Sequence, residues 1–339
     1  MNGKDIIRES IVIDGLHHSL LKDPPPGEKN QIDMLIDGGV TAINATVVLD
    51  TYKNSFNGVI QEMYQYFVLE ETLPDKVIIA KTVRDIEEAK RDHKIAIILG
   101  TQGADLFEHD LRYITIFHKL GMRIVQITYN QHNNLGSGCF EPNDTGLTRF
   151  GQQSIYEMNR LGILVDLSHV GYRTSMDAIE LSNKPCIFSH SGVKKFNSNT
   201  RNLMDDQIRE VTSKGGVIGL CPHSVMNCKN DGSWPTVDDY IDQIFYVMDI
   251  GGEGAAAVGV DRWMRPTLGY MMLRVDFERT LPKFFGGFDG TQKHINGFNY
   301  YDEWENLGSS LLRRGLTDTQ TKNVLGGNFL RVFHEVWGD

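Results

Sequence analysis

Two short stretches of the chain end alike. "DLSHV" at 166–170 and "IFSHS" at 187–191 each run from apolar residues through a serine to a histidine. If both are strand ends and the strands are neighbours, the histidines stand ~4.8 Å apart. Imidazoles bound at ~2.0–2.1 Å to one divalent ion fit that spacing, so His169 and His190 are candidate ligands of a shared metal. "IVIDGLHHSL" at 11–20 has the same outline, an apolar run ending in Asp14, His17 and His18, but with the acid ahead of the histidines. Other apolar runs end in Gln102 ("LGTQGAD"), Tyr129 and Asn130 ("ITYN"), His223, and Asp261 ("VGVD"). Five of the eleven histidines therefore fall at run ends. His93, His109, His118, His294 and His334 read as surface residues, and His132 as a loop residue beside the pocket. Asp166, two before Ser168, reads as a supporting carboxylate. Ser-flanked histidines could suggest a Ser/His/Asp hydrolase, but no GxSxG turn is present to expose a nucleophile.

The elements that must carry these residues recur in a rhythm. Apolar runs at 10–14, 40–48, 95–100, 124–130, 163–169, 185–190, 216–222 and 255–261 alternate with amphipathic stretches such as 151–161 and 203–214. Strands apolar along their whole length belong to a parallel sheet covered on both faces. Eight such units predict an α/β fold of the (β/α)8 TIM-barrel type, with the active site at the C-terminal ends of the strands. A doubly wound open sheet would bring a Gly-rich phosphate turn after its first strand, and "DGLHHS" is not one. The reading is one domain over 1–339, with a long loop at about 262–315 over the barrel mouth and a closing helix at about 317–336.

Composition narrows the partners. The chain has 339 residues, 40% hydrophobic and 23% charged, with a net charge of −10. That balance opposes binding to nucleic acid or an anionic membrane surface. No apolar stretch approaches the ~20 residues of a membrane span, and "MNGKDIIRES" lacks the apolar core of a signal peptide. Four cysteines without a CxxC pair are expected to be reduced thiols of a cytoplasmic protein.

"GLTRFGQQSIYEMNRLGILVDLSHV", "PCIFSHS", "TRNLMDDQI" and "LGGNFLRVF" together resemble the renal (membrane) dipeptidase family, the M19 metallopeptidases with amidohydrolase-like barrels. The resemblance runs from about residue 8 to the C-terminus and thins over 225–310. It implies a dinuclear zinc site that hydrolyses dipeptides, often in a homodimer. In that family a His-x-Asp ending the first strand holds one metal, a Glu ending the third bridges both, and histidines ending the fifth and sixth hold the second. A His after the fourth strand orients the substrate, an Arg after the sixth binds its carboxylate, and an Asp ending the eighth handles the proton.

Residue by residue, the correspondence is uneven. His169 and His190 match the second-metal histidines, Arg201 the carboxylate-binding Arg, and Asp261 the proton-handling Asp. Leu16 and His18 stand at the His-x-Asp positions; shifting by one to use His17 puts Ser19 where the Asp belongs. Gln102 replaces the bridging Glu, and Tyr129 the orienting His. Gln102 offers one neutral carbonyl oxygen in place of an anionic bridge. Losing both acids leaves the repulsion between two dications poorly compensated. The expectation is an amide or dipeptide hydrolase with an altered centre that holds one zinc ion rather than two, with a centre holding none as the remaining case. His169, His190 and either His18 or Gln102 would be the ligands. Asp261 would move the proton, Tyr129 would stabilise developing negative charge, and Arg201 would hold the carboxylate of a small-molecule substrate. The alternatives are a barrel enzyme using acid–base chemistry without the dinuclear site, and a non-catalytic relative that binds a small molecule.

Overall fold

The computed structural model describes residues 1–18, 20, 29–47, 55–229, 231, 233–261, 294–298 and 301–338. Ten strands lie in one system: β1 (Ile13–His17), β2 (Ala42–Thr46), β3 (Val77–Ile79), β4 (Ile95–Gln102), β5 (Met122–Gln126), β6 (Leu164–Asp166), β7 (Ile187–Val193), β8 (Asn202–Leu203), β9 (Val217–Leu220) and β10 (Ala256–Val258). Eight of them pair in the order β1-β2-β4-β5-β6-β7-β9-β10, and all the pairings are parallel. This is the barrel the apolar runs predict. β3 pairs outside β4 and β8 beside β7, two short additions that the sequence pattern did not reveal.

The barrel seam is closed by side chain and backbone together. Buried Asp14 of β1 accepts from Val260 N (2.7 Å) and Leu16 N (3.2 Å), and Leu16 O accepts from Asp261 N (2.9 Å). Leu16, which cannot ligate a metal, thus joins the first strand to the segment after the last, while its side chain packs in the core.

Helices cover the outside with one apolar face each. Helix Arg149–Leu161 is capped by Thr148, whose side chain accepts from Gly151 N, and ends at left-handed Gly162. The C-terminal helix, Asn328–Trp337, turns Phe329, Val332, Phe333 and Val336 inward. They pack on the first turns of the barrel strands, among them Ile13, Ala42, Leu164, Ile187 and Val217, and so plug the N-terminal end. The mouth at the opposite end is left for chemistry.

Two expectations about the last third of the chain need correction. The closing helix at about 317–336 is two helices, Asp318–Lys322 and Asn328–Trp337, separated by the irregular turn Asn323–Gly327. The stretch at 262–315 is not one loop: residues 304–313 form a helix with Trp304, Leu307 and Leu311 buried, and 262–293, 299 and 300 lie outside the described residues. His294, expected at the surface, is buried, bridges to His223 and places Nε2 3.1 Å from Val260 O. Among the described residues no helix is long and apolar enough to cross a membrane.

Candidate active site

His169 and His190 meet at the mouth of the barrel, their Nε2 atoms 2.9 Å apart. What lies behind each ring decides what those atoms can do. His169 Nδ1 donates to Asn130 Oδ1 (2.6 Å), because an amide oxygen can only accept. Ser189 donates its hydroxyl to Asp166 Oδ2 (2.5 Å), and its oxygen then accepts from His190 Nδ1 (2.8 Å). Asp166 is fully buried, and its other oxygen takes Ser168 N and Ser189 N, each at 3.0 Å. Burial pushes the Asp166 carboxyl upward in pKa, and these bonds oppose the shift. With a hydrogen fixed on each Nδ1, both Nε2 atoms carry lone pairs aimed at one point. Two facing lone pairs at that distance repel unless a cation lies between them.

A proton is a poor candidate for that cation. Burial, and then the positive charge of Arg201, hold His169 well below the ordinary imidazole pKa. The donor set therefore fits a metal ion: two neutral imidazoles, each oriented from behind by a hydrogen bond, as in known His–metal centres. Among the described residues no group of three or more His, Cys, Asp or Glu is arranged around one point as a ligand set.

The backbone bends to make this meeting possible. His169 has φ +62° and Asp261 φ +50°, in the left-handed region where residues other than glycine are uncommon. The β7–β9 register shifts between Phe188 and Ser191, which drives Ser189 and His190 toward the barrel axis. A Cβ on Gly219 would lie 2.0 Å, and one on Gly259 1.9 Å, from Ser189 O, so only glycine admits the displaced strand.

His17, the last residue of β1, and His18, just after it, separate. His18 Nε2 lies 2.8 Å from Asp261 Oδ1. His17 turns to Tyr301, with Nε2 2.8 Å from the hydroxyl and the rings stacked at 5.5 Å. His18 is thus the one that faces Asp261, and Asp261 and His18 both act electrostatically on His169.

Gln102 is buried at the end of β4 and donates Nε2 to Thr46 Oγ1 (3.0 Å), which turns its amide nitrogen toward β2. Tyr129 stacks on His169 with ring centroids 4.2 Å apart. Arg201, 5% exposed, donates Nη2 to His190 O (2.9 Å) and lines a cavity of about 130 Å³ beside His169. The structure therefore gathers His169, His190, Tyr129, Arg201, His18 and Asp261 at one end of the barrel. Gln102 ends a strand at that same end.

The model of the membrane dipeptidase family (peptidase family M19) matches residues 4–262 and 284–337. The chain belongs to the membrane dipeptidase family. Over their whole lengths, the chain and an amidohydrolase from Pseudomonas aeruginosa superpose with a TM-score of 0.87 at 33% identity. The M19 metallopeptidase dipeptidase AC shares the fold, with a TM-score of 0.80 at 19% identity over 98% of this chain and all of that one. An uncharacterized dipeptidase of Schizosaccharomyces pombe is 28% identical over 249 residues, 72% of this chain and 54% of the relative. The chain thus spans about half the length of that fission-yeast protein. By family the chain is a dipeptidase-like hydrolase.

Some contributors to the site escaped the sequence reading. Asn130 and Ser189 were visible as strand-end residues, but nothing in their spacing says that each sets the hydrogen of an imidazole. Lys194 and Cys139, which line the cavity with Arg201, carry no sequence signal.

Proposed function

We propose that this member of the family hydrolyses an amide bond in a small substrate bearing a free carboxylate, at an altered centre built on one zinc ion. The observation that carries the reading is the approach of His169 Nε2 and His190 Nε2 to 2.9 Å. His169 and His190 would hold the ion, with His18 or Gln102 as the further protein ligand. Bound there, zinc supplies Lewis acidity and a water that deprotonates near neutral pH. Arg201 binds the substrate carboxylate with guanidinium hydrogens not committed to His190 O. Asp261 takes the proton of the attacking water on its carboxylate and returns it to the leaving nitrogen, and His18, 2.8 Å from Oδ1, holds that carboxylate in place. Tyr129, stacked on His169, stands at the oxyanion side. A working location in the cytoplasm and a homodimer belong to the same proposal.

The His18–Asp261 pair supports a second reading, in which the two act as acid and base without metal. Metal analysis of the purified protein separates the two. About one equivalent of zinc, with cleavage of members of a dipeptide panel abolished in His169→Ala and Asp261→Ala, supports the first. Less than a tenth of an equivalent after zinc supplementation sinks it.

A further inference from the structure

The cavity of about 130 Å³ beside His169 is far larger than the roughly 10–15 Å³ that holds one water. Two of its walls carry cations. Arg201 contributes the guanidinium hydrogens left over from His190 O, and Lys194, at the end of β7, is half-buried. Neither has a carboxylate partner among the described residues, and no Asp or Glu is among the described residues that line the cavity. Arg201, Lys194 and the Cys139 thiol line the same cavity.

On the remaining polar wall Asn202 Oδ1 is a buried acceptor without a partner, and one donor there is unpaired as well. The Tyr172 hydroxyl is tied to Asp206, and the Gln207 side chain is tied to Ser175 Oγ (2.8 Å) and Met204 N (3.0 Å). Ser191 Oγ, by contrast, is fully buried and has no hydrogen-bond partner. A buried hydroxyl left without a partner is costly, so its presence beside two uncompensated cations points to an acceptor that arrives with the ligand. One carboxylate neutralises one of the two cations. The second cation and the spare hydroxyl call for another.

We propose that this cavity binds a second carboxylate of the substrate, so that the preferred substrates are dipeptides ending in aspartate or glutamate, or analogous dicarboxylic amides. Arg201 holds the α-carboxylate, and Lys194 with Ser191 Oγ holds the side-chain carboxylate. The inference rests on the hydrolase reading for Arg201's role; Lys194 and Ser191 as selectors go beyond it.

The test is equilibrium binding of inert acids to the purified protein by calorimetry at low salt. Succinate carries the two carboxylates of a C-terminal aspartate, and propionate lacks one of them. The expected result is succinate binding at least about tenfold tighter than propionate, as for one added charge-assisted contact. Lys194→Met should collapse that ratio toward one, Lys194→Arg should keep most of it, and Arg201→Gln should weaken both acids. Equal affinities in the parent, or a ratio unchanged by Lys194→Met in a variant that melts like the parent, overturns the proposal. Turnover is scored separately. A protein that cleaves no dipeptide yet prefers succinate keeps the pocket assignment and loses the hydrolase reading. One that cleaves alanine-terminated dipeptides better than aspartate-terminated ones and shows no succinate preference loses the pocket assignment alone.

Discussion

The barrel mouth holds two pairs of histidines that behave in opposite ways. His17 and His18 are neighbours in the chain and part in space, one to Tyr301 and the other to Asp261. His169 and His190 stand 21 positions apart and meet. His17 is the last residue of β1 and His18 the first beyond it, whereas residues ending neighbouring strands share a face. The second difference is support. His169 and His190 each have a partner that sets the hydrogen on Nδ1, and Asp166 stands behind His190 through Ser189. His17 is held at Nδ1 by the His18 carbonyl and at Nε2 by the Tyr301 hydroxyl, so both of its ring nitrogens are occupied, and His18 faces Asp261. A supported pair can present lone pairs to a metal; a divided pair can assist a carboxylate and anchor a remote segment.

That contrast can be broken most sharply at its strong side. His190→Ala should remove zinc binding and lower kcat/KM by about a thousandfold or more, measured by metal content and peptide cleavage. Full zinc occupancy in this variant would place the metal elsewhere. Gly259→Ala comes next, since its Cβ would sit 1.9 Å from Ser189 O. A loss of ~3 kcal/mol or more in urea unfolding is expected, because the clash is with backbone and not with a movable side-chain end. Asp166→Asn should weaken zinc binding by about 10–100-fold in a chelator competition while the fold persists, the usual cost of losing the group behind a ligand. Tyr301→Phe is the matching change behind His17, and it should alter zinc affinity by less than about threefold if that ring serves only to anchor. Equal effects of the last two variants would erase the distinction between the pairs.

The smallest effect concerns Cys139, beside the supported pair. Its thiol is pushed up to about 11 by burial, so at pH 8 only about one molecule in a thousand carries the thiolate. Because the shift is upward, alkylation should be slow at pH 8 and rise about tenfold per pH unit toward pH 11. Rapid alkylation at pH 8 would show that the cavity wall is open and the neighbouring cations dominate.

Legibility in the sequence follows the range of the interactions. The eight barrel strands were readable because continuous apolar runs report burial on both faces. Val77–Ile79 and Asn202–Leu203 were not, because two or three residues are too few to show a period. Residues 304–313 passed for loop since the aromatic-rich stretch before them masks their helical spacing. His294 passed for a surface residue because its burial depends on bridging to His223, far off in sequence. The choice between His17 and His18 was open for the same reason.

What the sequence determined by itself was the set of side chains that end barrel strands, since strand period and apolar runs are local properties. Only the tertiary structure decided which atoms face which. The left-handed backbone at His169 and Asp261, the displaced strand at Ser189 and the bond from Val260 N to Asp14 across 246 residues aim the rings, and none of these is encoded within a few residues of the atoms it positions. A hydrogen on Nδ1 rather than Nε2 is the outcome of that long-range geometry, and it leaves two buried histidines facing each other through Nε2.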